Sequence, residues 1–195
     1  LEGGGWGGRP HEDGESGSVS ICQGDVRNGS LEGIELKTPV LIEERALRTD
    51  SGGAGKYRGG LGIDLRVRNL VDGRWNLSGE NRKTSPPWGI LGGKPGDCAA
   101  YLLRKPGEND FAKRAGYRYP VEADSEVIVR TGSGGGWGDP LDRDPERVRW
   151  DVIEGMVSRA AALADYGVVL DPKDLALDRA ATERERAARR ARAAE

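Results

Sequence analysis

Apolar and polar residues alternate most cleanly at Ile63, Leu65 and Val67, with Asp64, Arg66 and Arg68 between them. That period of two predicts a strand with one buried face. Upstream, Val40, Leu41 and Ile42, then Ala46 and Leu47, predict another strand. Downstream, Asp72-Gly73 reads as a hairpin turn into a strand at 75–77. Short apolar runs at 99–103 and 126–129 predict two further strands. Residues 1–35 read as loop, with turn signals at Asp13-Gly14 and Asn28-Gly29 and one apolar run at 19–22.

The last third changes period. Asp144 suits an N-cap, Pro145 the first helical position and Glu146 the first turn, and Val148, Val152 and Met156 then share one face. Ser158 predicts the cap of a second helix, which Tyr166-Gly167 closes, and 168–170 is a short extended piece. From Asp174 onward a run of Ala, Arg and Glu predicts a third, solvated helix. The expected fold class is therefore α+β: a glycine-rich, mostly antiparallel β region over 1–140, then a helical segment over 141–195.

Glycine interrupts this pattern four times, at 3–8 (GGGWGG), 51–62 (SGGAGKYRGGLG), 88–96 (WGILGGKPG) and 132–140 (GSGGGWGDP). The chain holds 31 glycines in 195 residues, more than twice the usual share of about 7%. Ordered glycine loses more backbone entropy than any other residue. A fold keeps runs of it where φ is positive or where another backbone or a ligand comes very close. One reading makes these segments loop corners, with tryptophan plugging the gaps. The other makes them line a shared site, where bare N–H groups beside Lys56, Tyr57 and Arg58 cradle an anion or a carbonyl.

A net charge of −2 and the lack of a basic stripe interleaved with aromatics argue against nucleic acid. No apolar run approaches a membrane span, no signal-peptide pattern is visible, and Cys22 and Cys98 form no CxxC pair. The expectation is a cytoplasmic protein. It begins in glycine-rich loop and reads like part of something longer. His11 stands beside Glu12 and Asp13, yet consecutive residues diverge, so the reading is a polar turn with no metal. Cys22 reads as a small buried residue. Ser133 lacks the spacing of a nucleophile elbow, and Gly89 to Lys94 lacks the hydroxyl that ends a P-loop.

Six segments in order resemble the hydantoinase B/5-oxoprolinase family: TPV at 38–40, RTDSGGAGKYRGGLG at 48–62, PWGILGGKPG at 87–96, GGGWGDPL at 134–141, DPERVRWDVIEGMVS at 144–158 and YGVV at 166–169. The resemblance runs over nearly the whole chain and implies the C-terminal part of a B-type subunit. It implies a hydantoinase A-type partner that binds and hydrolyses ATP, and opening of cyclic amides such as hydantoins or 5-oxoproline. Related complexes carboxylate acetone or acetophenone, and a divalent metal, where used, would be held outside this chain. A non-catalytic assembly module is the other reading.

Opening a lactam at neutral pH needs an activated carbonyl and preorganised donors and cations around the developing charge. Lys56, Arg58, Asp50 and Glu35 are the candidate catalytic residues, with Glu43 a further acid nearby. Gly52, Gly53, Gly55, Gly59, Gly60, Lys94 and Arg82 are the candidate substrate-binding residues, Arg82 as a carboxylate clamp or a surface ion pair.

Overall fold

The computed structural model describes residues 3–19, 29–78 and 84–193. Its main sheet joins β1 (Val40–Leu47), β2 (Ile63–Asn69), β7 (Glu126–Arg130), β4 (Ala100–Arg104) and β5 (Ala112–Lys113) in the order β1-β2-β7-β4-β5, every neighbouring pair antiparallel. A second, two-stranded antiparallel sheet pairs β3 (Gly73–Leu77) with β6 (Gly116–Val121). A short helix, α1 (Leu31–Glu35), precedes β1, inside a stretch expected to be loop.

The alternation sorts the main sheet into two faces. Leu65, Val67, Val127, Val129, Tyr101 and Leu103 share one face by register. Leu103 and Val127 there form a core with Leu77 and Val121 of the small sheet, with Trp75 and Tyr119 packed alongside. Asp64, Arg66, Arg68, Arg104, Glu126 and Arg130 share the opposite face, where ion pairs lace the strands together. Arg130 Nη2 donates to Asp64 at 2.7 Å, Arg68 Nε donates to Glu43 at 2.7 Å, and Arg66 and Arg104 both bind Glu126. Burial would raise the Glu126 carboxyl, but the two guanidinium groups outweigh it and hold it below its ordinary value.

The Asp72-Gly73 turn does not return the chain onto β2. Asn69, almost fully buried, donates from Nδ2 to the Val71 carbonyl and accepts from the Trp75 indole at 3.0 Å. Its own N–H goes to the Ser125 carbonyl at 2.9 Å. These bonds steer β3 out of the main sheet and across to β6.

The four glycine segments are one structure. Residues 132–138 run through its centre and bond to all three others. Gly5 N donates to Gly132 O (2.9 Å), Gly8 N to Gly135 O (2.8 Å), Gly134 N to Gly60 O (2.9 Å), and Gly136 N to Lys94 O (2.9 Å). Tyr57 and Trp137 exchange both backbone bonds, at 3.0 and 2.9 Å. Close approach is what demands glycine here. A Cβ on Gly134 would overlap the Trp6 carbonyl, and one on Gly60 the Glu15 carbonyl. Tryptophan as a general plug does not hold: Trp88 is 80% exposed. Gly135 packs against its backbone carbonyl.

The helices follow their caps. Asp144 caps α2 (Pro145–Ile153) by accepting from Glu146 N. Ser158 accepts from Ala161 N at 3.0 Å to start α3 (Arg159–Tyr166), which ends at Gly167 with φ +61°. The last helix, α4 (Arg179–Ala193), begins later than the Asp174 start expected. Leu175 has φ +57° and Leu177 bridges to Leu170, so the helix waits for Asp178, whose carboxylate accepts from Ala181 N at 2.8 Å. Ala54 of the glycine bundle belongs to the same core cluster as Val148, Val157, Ala162, Tyr166 and Val168.

Candidate functional site

Where the glycine bundle meets the helices, four charged side chains interlock. Arg143 is 1% exposed and grips Asp13 through both terminal nitrogens, at 2.6 and 2.9 Å. It also donates to Asp151 from Nε (3.1 Å) and Nη2 (2.7 Å), and to the Lys56 carbonyl at 3.2 Å. Arg58, 4% exposed, lies 3.7 Å from Asp151 and donates to the Gly59 carbonyl and to Met156 Sδ. Burial would raise the Asp13 carboxyl; hydrogen bonds and charge from Arg143, with the Arg58 N–H, hold it below its ordinary value instead. Burial opposes the Arg143 charge, but Asp13 and Asp151 raise its pKa further still. Burial pushes the Tyr166 phenol up.

The sequence-predicted residues separate into distinct places. Arg58 belongs to this buried network. Lys56 is exposed, with Nζ 5.9 Å from the Tyr57 ring centroid. The Arg147 guanidinium lies 5.9 Å from the same ring, which stands 5.8 Å from Trp137. Two cations and two aromatic rings thus form a patch on the bundle's helical side. Asp50 has φ +64°, and its carboxylate accepts from Ser158 N at 2.6 Å, fastening the loop after β1 to the head of α3. Glu35 accepts from Ile42 N at 2.7 Å, at the start of the main sheet, and Lys94 pairs with Asp165 at 2.6 Å. Arg82 and Cys22 lie outside the described residues.

The anion cradle of bare N–H groups needs correction. Gly53, Gly59 and Gly60 donate to the carbonyls of Gly134, Gly53 and Trp6, so these hydrogens are committed to the fold. Gly52 and Gly55 are pressed against the Gly59 and Tyr57 carbonyls. Sequence reasoning missed Asp13, Arg143 and Asp151 as partners, since Arg143 and Asp13 are 130 positions apart. A buried arginine after a glycine-rich turn carries no local pattern that would announce it.

Among the described residues, no three His, Cys, Asp or Glu side chains converge as a metal would need. His11 is exposed, and its neighbours Glu12 and Asp13 are engaged by Arg9 and Arg143. No helix among the described residues is long and apolar enough to cross a membrane.

A second feature lies at the far end of the apolar sheet face. A cleft of about 880 Å³ opens between β1, β2 and β7 on one side and β3 on the other, with Ile42, Leu65, Val67, Trp75 and Val129 in its lining.

A sheet sandwich, a bundle of glycine strands and a helical cap on that bundle define this class of protein. The chain belongs to the Hydantoinase B/oxoprolinase family, whose model matches residues 1–140. The caprolactamase subunit beta of Pseudomonas jessenii is 38% identical over 173 residues, which cover 86% of this chain and 29% of that one. A solved ATP-dependent caprolactamase from the same organism superposes with a TM-score of 0.71 at 30% identity, covering 94% of this chain and 32% of that one. The nucleotide-free structure of acetone carboxylase superposes with a TM-score of 0.79 at 26% identity, covering 98% of this chain and 30% of that one. The chain spans under a third of the length of these relatives.

Proposed function

We propose that this chain forms part of a subunit that opens cyclic amides, hydantoins or 5-oxoproline among them, coupled to ATP hydrolysis on an A-type partner. The observation that carries the reading is the family match over residues 1–140, which spans all four glycine segments that the fold gathers into one bundle. ATP would supply the activation: its terminal phosphoryl would pass to the amide oxygen with ADP leaving, and water would add to the carbon. The ring C–N bond would then break with the protonated amine leaving, and a second water would split the acyl phosphate into carboxylate and phosphate.

In this reading the glycine bundle is a stiff floor, because its N–H groups and carbonyls bond to one another and leave little to rearrange. Lys56 is the cation it presents outward, beside Tyr57 and Arg147, where a developing anion could be met. Arg58 and Asp151 lock the floor to the helices and act as positioning residues. The caprolactamase relative supports the substrate class.

The test is ATP hydrolysis stimulated by 5-oxoproline, hydantoin or caprolactam, using the natural gene product co-expressed with its A-type partner. Stimulated turnover that falls in Lys56→Ala while the complex still assembles supports the reading. Turnover unchanged in Lys56→Ala removes Lys56 from the chemistry and leaves the bundle an assembly module. A second reading, a ketone carboxylase, draws on the closer superposition with acetone carboxylase. Bicarbonate-dependent product from a ketone, with no response to cyclic amides, would establish it.

A further inference from the structure

The cleft at the end of the apolar sheet face sits inside a larger unpartnered surface. Of the eight residues of β1 only Val40 is buried, and its outer edge pairs with no strand among the described residues. None of the residues of α1 is buried. Ile34, Leu36, Leu70 and Val71 are 40%, 88%, 49% and 48% exposed. Ile34, Pro39 and Val71 line the cleft as its rim, and Leu36 and Leu70 flank them along the chain, where Thr38 N donates to the Ile34 carbonyl and Leu70 N to the Pro39 carbonyl. Below the rim lie Val40, Ile42, Leu65, Val67, Trp75 and Val129. An aliphatic rim over an aliphatic and aromatic floor is the composition of a core, exposed along one side.

The whole chain carries more surface than its mass requires. The chain exposes 11198 Å² at a mass of 21.0 kDa. A compact monomer of that mass exposes about 9,000 Å². The excess of roughly 2,200 Å² belongs to the chain as a whole, and the exposed apolar residues around the cleft are one part of it.

We propose that this face is the seat of further polypeptide of the same subunit, an apolar segment laid over Leu36, Leu70 and Val71 and filling the cleft against β3. The relatives carry over two-thirds of their length beyond the part this chain matches, which supplies an occupant of the right size on the same chain. The inference rests on the family relation and on exposed area, and is independent of the catalytic reading. The charged residues Glu44 and Arg45 of the edge strand β1, and the bulge between Ile42 and Glu44, disfavour strand addition by a stranger. The occupant therefore enters from the apolar face and not by extending the sheet.

Hydroxyl-radical footprinting reads this without any substitution. Oxidation of Leu36, Leu70 and Val71 is measured in this 195-residue chain and in the subunit as its gene encodes it, each with and without the A-type partner. The expected result is at least fivefold protection of all three in the encoded subunit on its own. Protection that appears only when the partner is added would overturn the proposal in favour of a subunit interface. Concentration-dependent protection in the 195-residue chain alone would overturn it in favour of a second copy. Equal oxidation in every sample would show the face to be open. In a second measurement, Leu36→Asp is expected to leave the melting temperature of the 195-residue chain unchanged and to lower that of the encoded subunit. An unchanged melting temperature in both would also count against the proposal.

Discussion

In the β sandwich, side chains fill the space between backbones; in the glycine bundle, backbones fill it themselves. Leu77, Leu103, Val121 and Val127 meet between the two sheets as any aliphatic core does. The bundle has carbonyl oxygens where such a core has methyl groups, and its cohesion comes from hydrogen bonds between four segments. A side-chain core can relax around a lost methylene. A core of backbone has no side chain to move, so one added carbon must displace a whole segment.

The sharpest way to break this comparison is Gly134→Ala, whose new methyl would overlap the Trp6 carbonyl. The expected loss is on the order of 4 kcal/mol, read by urea unfolding, above the ~1–3 kcal/mol of an ordinary overpacked site because the clash is with backbone that has no rotamer to turn. A loss under about 1 kcal/mol would show the bundle to be pliable.

Arg143→Met follows in size. It leaves Asp13 to the half-exposed Arg147 and Asp151 to Arg58 at 3.7 Å, and the expected loss lies toward the low end of the about 3–5 kcal/mol for removing one side of a buried ion network. Leu103→Ala, in the sandwich, is expected to cost about 2–4 kcal/mol, and Leu103→Met under about 1.5 kcal/mol. The contrast between tolerated Leu103→Met and damaging Gly134→Ala is the comparison in its purest form.

Asp13 adds a pH signature. Its folded pKa is depressed, so its contribution is fully present above the unfolded value of about 3.9 and is lost as pH falls through the folded one. Asp13→Asn should flatten the acid limb of stability below pH ~4 and leave the slope at neutral pH unchanged. An unaltered acid limb would mean Asp13 is not held by Arg143. Lys56→Ala is the smallest expected change to folding, within about 0.5 kcal/mol, because Lys56 is exposed. Its effect, on the proposed reading, is in turnover.

Much of the fold was legible because its signals are local. The alternation at 63–68 gave β2 its two faces, and Asp144, Ser158 and Gly167 marked helix ends by the hydrogen bonds they make. The failures have a common cause in distance along the chain. Asn69 sends β3 to another sheet through bonds to residues 121–125, and Leu175 delays α4 by a backbone conformation that a leucine does not advertise. The candidate site was half legible. Lys56 was found on an exposed patch, whereas Arg58, its near neighbour in sequence, is buried 3.7 Å from Asp151.

By itself the sequence determined that glycine-rich segments punctuate a β region and that capped helices follow it, since propensity, period and capping act over a few residues. It also carried the family, through the order of its glycine motifs. Only the tertiary structure decided what the glycines are for. Four segments up to about 130 residues apart meet with carbonyl against Cα, and no local rule states that a methyl at Gly60 would strike the carbonyl of Glu15. Close packing between distant backbones is a property of the assembled chain, and it is there that the requirement for glycine arises.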